Sequence, residues 1–260
     1  MTEQEWLNNN QLSLDIWNNK YRYKDENFEQ WLERVSGGNS DIKKLIREKK
    51  FIFGGRTLAN RGISGSGSFS NCYSIGFVPD SLDGIMDVAH KIAMTFKAQG
   101  GQGLSLSKIR PKGTMIAGQF KSDGIVPFMN IFNTVTESVS QGGSRKGALL
   151  MSIDAWHPEA ETFIRIKEDL NKINKANLSV EVDDYFMNYV TNPGIIAMCS
   201  EETTSSGIGR QRFLHANKVF NAICESAWKS AEPGILFVDR LRNYNMMEFV
   251  DDYQIETTNP

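Results

Sequence analysis

Apolar residues follow two spacing patterns along most of the chain. Short apolar runs predict buried strands at 71–77, 104–109, 148–153, 177–182, 195–200 and 235–239. Between these runs, apolar residues three and four positions apart predict helices, as in the series Ile85, Val88, Ala89, Ile92 and Phe96. Similar spacing predicts further helices from Pro127, over 154–167 and over 212–229. Strands that alternate with helices of these lengths favour an α/β fold with parallel pairing.

The first fifty residues have a different pattern. Phe28, Trp31, Leu32 and Val35 share one helical face, and the helix is expected to end at Gly37-Gly38. Beyond this region glycine is concentrated, because residues 54–147 hold 16 of the 22 glycines. The pattern therefore predicts a helical N-terminal region, 1–53, and a second domain, 54–260.

Composition and charge narrow the function classes. The chain has 260 residues, of which 40% are hydrophobic, and its 29 Lys and Arg nearly balance 31 Asp and Glu. This composition excludes a disordered chain. The nearly balanced charge gives no reason to expect binding to nucleic acid or to an anionic membrane. No apolar run approaches the roughly 18 residues of a membrane span, and the N-terminus lacks the features of a secretory signal. These observations favour the cytoplasm.

Cysteines and histidines are few and scattered, at Cys72, Cys199, Cys224, His90, His157 and His215. Their spacing predicts neither a disulfide scaffold nor a metal site, so the expected metal content is none. Taken alone, Cys72 on its apolar strand is most simply a small buried hydrophobe. His157, which precedes Pro158 at a helix start, is interpreted as a cap or packing residue.

Glycine-rich and basic loops are the clearest local candidates for ligand binding. GGQG at 100–103 and QGGSRKG at 141–147 would expose backbone N–H groups, with Arg145 and Lys146 available to phosphate. Neither segment is a Walker A or GxGxxG sequence, and each is also compatible with an ordinary turn. IRPKG at 109–113 adds Arg110 after a strand, where parallel sheets gather their ligands.

Seven segments together carry a more specific signal. In chain order they are GGRTLANRG, SNCYSIGFVPDSLDGI, KAQGGQGLSLSKIRPKGT, SQGGSRKGALL, WHPEAETFI, NKANLSVEV and EPGILFVDR. From about residue 12 to Pro260, the chain closely resembles the large (α) subunit of ribonucleotide reductase. It is most similar to the adenosylcobalamin-dependent class, class II, with the class that uses a separate radical-generating subunit as the alternative. The resemblance implies an N-terminal helical region followed by the first half, five parallel strands, of a ten-stranded α/β barrel.

The resemblance also implies a substrate site. Cys72 matches one of two cysteines that become oxidised as the ribose is reduced, and Asn259 matches the asparagine that hydrogen-bonds a ribose hydroxyl. Other matching positions line the ribonucleotide, namely Arg56, Thr57, Asn71 and Gly101.

A site for an allosteric dNTP or ATP effector is implied as well. Asp80 resembles the carboxylate that holds the effector's sugar, and Arg110 resembles its triphosphate contact. Gln141 and Arg145 belong to a segment that resembles the specificity loop between effector and substrate.

The implied cofactor of the complete enzyme is adenosylcobalamin. The implied partners are the C-terminal half of the enzyme, a thioredoxin-like reductant and a second copy of the chain in a homodimer. The family continues TTNP with the radical-bearing cysteine, so a chain ending at Pro260 is expected to be inactive alone. An intein junction, a split gene and a truncation all remain open explanations for this end. The alternative from another class is a non-catalytic dNTP-binding or assembly module.

Overall fold

The computed structural model describes residues 1–65, 68–139, 148–192, 197–200, 211–247, 249 and 255–258. The chain forms two compact units, Met1–Asn71 and Cys72–Pro260. This division lies later than the domain boundary predicted at 53/54. The reason is that Arg34 donates hydrogen bonds to the carbonyl oxygens of Leu58 at 3.3 Å and Arg61 at 2.7 Å, which tie the following segment to the N-terminal helices.

The first unit is helical. Its helices are α1 (Glu3–Trp6), α2 (Gln11–Ile16), α3 (Phe28–Ser36), α4 (Ser40–Arg47) and α5 (Gly55–Asn60), with a π-helical turn at Trp17–Tyr21. Asn27 and Gln30 form a capping box at the start of α3, and Gly37 ends it with a φ of 64°. The predicted face of α3 is buried against Trp6 and Trp17. The helical N-terminal prediction is therefore confirmed.

The second unit alternates strands and helices. In chain order these are β1 (Cys72–Phe77), α6 (Leu82–Lys97), β2 (Gly101–Ser105), β3 (Met115–Ile116), β4 (Phe120–Lys121), α7 (Val126–Val139), β5 (Leu149–Asp154), α8 (Ala160–Arg165), β6 (Ala176–Val182), α9 (Asp184–Thr191), β7 (Ala197–Ser200), β8 (Gln211–Leu214), α10 (Ala216–Ser230), β9 (Gly234–Phe237) and α11 (Val238–Asn243). A 3₁₀ turn at Ile166–Glu168 extends α8.

Five strands form one parallel sheet in the order β1-β2-β5-β6-β9. Helix α6 shows why the intervening segments fold as they do. Ser81 caps its first turn by accepting from the Gly84 N–H at 3.1 Å, and the predicted apolar stripe is buried in the core. The α/β prediction with five parallel strands is confirmed.

Several predicted elements differ from the structure. The strand predicted at 104–109 is β2 (Gly101–Ser105), so Gly101 to Gly103 of the segment GGQG lie in a strand and not in a loop. The strand predicted at 195–200 is β7, which pairs antiparallel with β8 rather than joining the parallel sheet. Because the β8 backbone is engaged in this ladder, the helix predicted from 212 begins at Ala216. The helix predicted from 154 begins only at Ala160, because Pro158 disfavours helical backbone at the residue before it.

Among the residues that the structure describes, no helix is long and apolar enough to cross a membrane.

Candidate functional site

The two faces of the parallel sheet differ in chemistry. Side chains alternate between faces along a strand, and residues paired across parallel strands share a face. One face, here the apolar face, packs on helices. Besides the buried Gln102 and Ala176 it carries Leu104, Leu149, Met151, Ile153, Leu178, Val180 and Val182. The other, here the polar face, carries Cys72, Ser74, Gly101, Gly103, Ser105, Leu150, Ser152, Asp154, Asn177, Ser179 and Glu181.

At the amino end of the polar face, Cys72 and Gly101 are neighbours. Cys72 is the first residue of β1, it is half-buried, and its register partner on β2 is Gly101. Adjacent strands lie about 4.8 Å apart. Gly101 is buried and has no side chain, so β2 places no side chain in register with Cys72. The structure thus brings together two of the predicted substrate-site residues.

Toward the carboxyl end of the polar face, hydroxyl groups surround a buried carboxyl group. Glu181 is 4% exposed. Ser152 donates to its Oε1 at 2.5 Å, and Ser107 donates to its Oε2 at 3.3 Å. Ser107 also accepts a hydrogen bond from the Asp154 N–H at 2.8 Å. The cluster joins the loop after β2 to strands β5 and β6.

The carboxyl groups of this cluster are held in surroundings that favour their protonated forms. Burial raises the pKa of Glu181, against hydrogen bonds from Ser152 and other serines that lower it, and the nearby Asp154 charge raises it further. Burial also raises the pKa of Asp154, with a contribution from the Asp183 charge. Glu181 and Asp154 are register partners on adjacent strands, which places the Asp154 charge where it disfavours ionisation of Glu181.

A segment distant in the sequence is bound to the same cluster. The hydroxyl oxygens of Thr257 and Ser152 lie 2.7 Å apart, and Thr257 is buried. A serine hydroxyl has one proton. When Glu181 is ionised, Ser152 uses its one proton to donate a hydrogen bond to the carboxylate. In the hydrogen bond between the two hydroxyl groups, Thr257 must therefore donate and Ser152 accept.

The neighbouring residue Glu256 fixes the same segment to β1. Its carboxylate accepts a hydrogen bond from the Phe77 N–H at 3.0 Å. It lies so close to Gly76 that a Cβ there would collide with it, and Gly76 has a φ of 82°. Glycine is therefore required at this position, where the β1 ladder is irregular.

The predicted effector residues Asp80 and Arg110 are brought together beyond the carboxyl ends of β1 and β2. Arg110 Nε donates to Asp80 Oδ2 at 2.7 Å, and Nη2 donates to the Asp80 carbonyl oxygen at 3.0 Å. The Arg110 backbone N–H donates to Asp80 Oδ1 at 3.2 Å. A guanidinium has five N–H donors, so these contacts with Asp80 occupy two of them. This pair lies at the opposite end of the strands from Cys72 and Gly101.

Three predicted substrate residues lie in the first unit. Arg56 on α5 is buried, and its Nη1 lies 3.5 Å from the Ser68 carbonyl oxygen. Thr57 is half-buried on the same helix, and Asn71 is exposed at the end of the unit. The predicted residues Gln141, Arg145 and Asn259 lie outside the described residues.

Sequence reasoning missed the cluster around Glu181. A signal was present, because LLMSID and NLSVEV alternate apolar and polar residues within buried strands. A glutamate at such a position marks a second, polar face. His157, interpreted as a cap or packing residue, is buried and contacts the loop that carries Arg110, as does the buried Glu159. In the described parts of the chain, no cluster of His, Cys, Asp and Glu is arranged to hold a metal ion.

Comparison with known families identifies this arrangement. Residues 70–260 match the family model of the ribonucleotide reductase barrel domain. The chain belongs to the ribonucleotide reductase family. The family prediction made from the seven sequence segments is confirmed.

Relatives in the ribonucleotide reductase family include more than one class. A vitamin B12-dependent ribonucleoside-diphosphate reductase of Thermoplasma acidophilum is 33% identical over 222 residues, which are 84% of this chain and 28% of that relative. The ribonucleoside-diphosphate reductase large subunit of Dictyostelium discoideum is 31% identical over 221 residues, 75% of this chain and 25% of that relative. The chain thus spans about a quarter of the length of these curated relatives.

A solved structure shares the fold. The class Id ribonucleotide reductase alpha subunit of Actinobacillus ureae superposes with a TM-score of 0.76 and 16% sequence identity. The superposition covers 100% of this chain and 46% of that subunit.

Proposed function

We propose that this chain supplies the first half of a ribonucleotide reductase barrel, which in the complete enzyme reduces ribonucleotides to deoxyribonucleotides. The observation that carries the proposal is the position of Cys72. Its thiol is half-buried on the polar face of the sheet, in register with the side-chain-free Gly101. A thiol whose register partner carries no side chain is suited to meet a bound sugar.

The role of Cys72 follows from the electron balance of the reaction. Loss of the ribose 2′ hydroxyl as water consumes two electrons and two protons. Two thiols supply both when they join in a disulfide. Cys72 provides one of these thiols. The remainder of the barrel provides the other, together with the cysteine whose radical removes the 3′ hydrogen.

The remaining substrate contacts are proposed from the family pattern. Arg56, Thr57 and Asn71 line the ribonucleotide, and Asn259 hydrogen-bonds a ribose hydroxyl. The fixed position of Thr257 supports the last of these roles, because Thr257 lies two residues before Asn259 and is held by Ser152.

We further propose that Asp80 and Arg110 bind a dNTP or ATP effector. Arg110 keeps N–H donors beyond those used by Asp80, and both side chains are about one third exposed. A triphosphate is thus able to reach the guanidinium while Asp80 keeps it oriented. Gln141 and Arg145 would transmit the identity of the effector base.

Adenosylcobalamin is the cofactor that the B12-dependent relatives suggest for the complete enzyme; it would generate the radical. Strand β2 is buried along its whole length, so its glycines offer no open surface to a corrin ring. No step is therefore assigned to this cofactor, and its binding would belong to other parts of the enzyme.

The proposed partners follow from the same function. They are the ribonucleotide substrate, the polypeptide that completes the barrel, a thioredoxin-like reductant and a second copy of the chain. A reducing cytoplasm is the compartment in which a thiol cycle of this kind is maintained.

The test compares two cysteine variants in the enzyme completed with the rest of the barrel. Cys72→Ser should reduce dithiol-dependent deoxynucleotide formation to the background, because serine cannot form the disulfide. Cys224→Ser is the control, since Cys224 is exposed on α10, and it should retain wild-type turnover. Full turnover by Cys72→Ser would refute the proposed role. Nucleotide binding without turnover by the wild type would instead favour a non-catalytic binding module.

A further inference from the structure

A loop between β2 and α7 carries the proposed phosphate contact. This segment, here called the Arg110 loop, comprises residues 109–125. Its backbone closes on itself, since the Gly113 N–H donates to the Ser122 carbonyl oxygen at 2.8 Å and the Ser122 N–H donates to the Thr114 carbonyl oxygen at 2.8 Å. The hairpin β3-β4 forms its tip, where Met115 and Phe120 are exposed.

One buried carboxylate joins the two ends of the Arg110 loop. Oε2 of Glu159 accepts hydrogen bonds from the Lys112 N–H and the Ile125 N–H, both at 3.1 Å. Glu159 is 8% exposed. It occupies the N-cap position of α8, yet its side chain makes no capping bond to that helix. The side chain is therefore committed to the loop rather than to its own helix.

Gly124 provides independent evidence for this close contact. It has a φ of 79°, and a Cβ there would lie 2.6 Å from the Glu159 carboxyl carbon. No residue with a side chain fits between the loop backbone and the carboxylate. The Gly124 N–H in turn donates to Ser122 Oγ at 3.0 Å, which fixes the end of the loop.

His157 adds a third contact at the start of the loop. Its Nε2 lies 2.8 Å from the Ile109 carbonyl oxygen, which can only accept, so Nε2 carries the proton. Its Nδ1 accepts from the Glu159 N–H at 3.1 Å. The turn at 157–159 thus contacts the Arg110 loop at three positions, which are Ile109, Lys112 and Ile125.

We infer that Glu159 is a positioning residue that holds the Arg110 loop in the geometry that receives the triphosphate of the nucleotide effector. This inference rests on the proposed function, because the phosphate contact of Arg110 is part of that function. Glu159 does not touch the nucleotide in this scheme. It acts through the backbone of the residues on either side of Arg110, and so sets where the guanidinium lies beside Asp80.

A double-mutant cycle in the completed enzyme tests the inference, with dTTP affinity measured by calorimetry. Glu159→Ala should weaken binding on the order of tenfold, because two hydrogen bonds to a charged acceptor are lost. Arg110→Ala should weaken it by about ten- to a hundredfold. If Glu159 acts through Arg110, the double variant should bind no more weakly than Arg110→Ala alone. Glu161→Ala is the control, because Glu161 is exposed on the same helix and pairs with Arg165.

Amide hydrogen exchange without nucleotide separates the inference from the proposed function. Glu159→Ala should speed exchange at Lys112 and Ile125, and Glu161→Ala should not. If Arg110→Ala binds dTTP as the wild type does, the proposed phosphate contact is wrong, and the inference about effector binding fails with it. If Arg110→Ala binds weakly but Glu159→Ala shows normal exchange or normal affinity, only the inference fails. The inference is also overturned if Glu159→Ala weakens dTTP binding by the same factor in the wild type and in the Arg110→Ala variant.

Two further variants keep the test decisive if Glu159→Ala does not fold. Glu159→Gln retains an acceptor oxygen and should bind dTTP with intermediate affinity. Gly124→Ala leaves Glu159 in place but forces the loop away from it, so it should weaken binding and speed exchange at Ile125. Wild-type affinity and exchange in both variants would overturn the inference.

Discussion

The centre of the parallel sheet is buried on both faces, but the two faces are built in different ways. On the apolar face, Met151 and Val180 have no exposed surface and pack among helix side chains. On the polar face, Ser152 has no exposed surface either, and Glu181 is 4% exposed, yet hydrogen bonds hold both. Packing between apolar groups is non-directional, whereas a buried polar group needs a partner at a defined position.

This difference shows how one sheet can serve both stability and chemistry. The apolar face supplies burial and tolerates side chains of similar volume. The polar face fixes particular atoms, since Ser152 connects Glu181 with Thr257 across segments far apart in sequence. At the amino end of the polar face, Cys72, the proposed redox residue, lies in register with Gly101. Substitutions on the two faces should therefore affect different properties.

The largest loss of stability is expected on the apolar face. Met151→Ala should lower the free energy of unfolding by about 2–5 kcal/mol, because it leaves a cavity in a fully buried position. Urea denaturation measures the change. Leu170→Ala is the control, since Leu170 is 73% exposed, and it should stay within about 0.5 kcal/mol. A similarly small effect at Met151 would show that the core does not depend on this face.

A smaller loss is expected on the polar face. Ser152→Ala should lower the free energy of unfolding by about 1–3 kcal/mol, because Glu181 and Thr257 each lose a buried partner. It should also raise the pKa of Glu181 further, since the Ser152 hydrogen bond lowers it. Urea denaturation at several pH values reports both effects. Ser138→Ala, at an exposed position on α7, should change neither.

The subtlest effect is a change in pH dependence. The pKa of Glu181 is higher in the folded state, so the folded protein binds its proton more tightly and the contribution of this carboxyl group to the free energy of unfolding falls as pH rises from about 4.5. Glu181→Gln should make this fall shallower. Asp154 contributes in the same direction, so part of the fall should remain.

Glu168→Gln provides a control of opposite sign. Hydrogen bonds from Lys229 and Arg165 lower the pKa of Glu168, so its contribution to stability grows as the carboxyl ionises. Removing that charge should therefore shift the slope of the free energy of unfolding against pH in the direction opposite to the shift in Glu181→Gln. An unchanged pH profile in Glu181→Gln would show that Glu181 is not held in the proposed environment.

The sequence predicts features that depend on local spacing better than features that depend on contacts between distant residues. The apolar stripe of α6 and the capped face of α3 follow from local spacing, so their positions were predictable. The seven ordered segments identified the family. The antiparallel β7-β8 pair was not predictable, because a short apolar run does not reveal its partner.

The polar cluster was missed for a related reason. Glu181 contacts Ser152 and Ser107, and Ser152 contacts Thr257, across large separations in sequence. Alternation within each strand marks a polar face but not which hydroxyls meet the carboxyl. Likewise, the loop contact of Glu159 depends on a turn that brings it beside Lys112 and Ile125. Local sequence patterns do not predict such contacts between residues that are far apart in the chain.

The most direct test of the central claim is the redox state of Cys72 during one round of catalysis. The completed enzyme, reduced and then freed of dithiol, is given ribonucleotide substrate, quenched and alkylated, and each cysteine is quantified by mass spectrometry. The account predicts that Cys72 becomes protected from alkylation in proportion to the deoxynucleotide formed, while Cys224 stays alkylatable. Deoxynucleotide formation with Cys72 still fully alkylatable would contradict it.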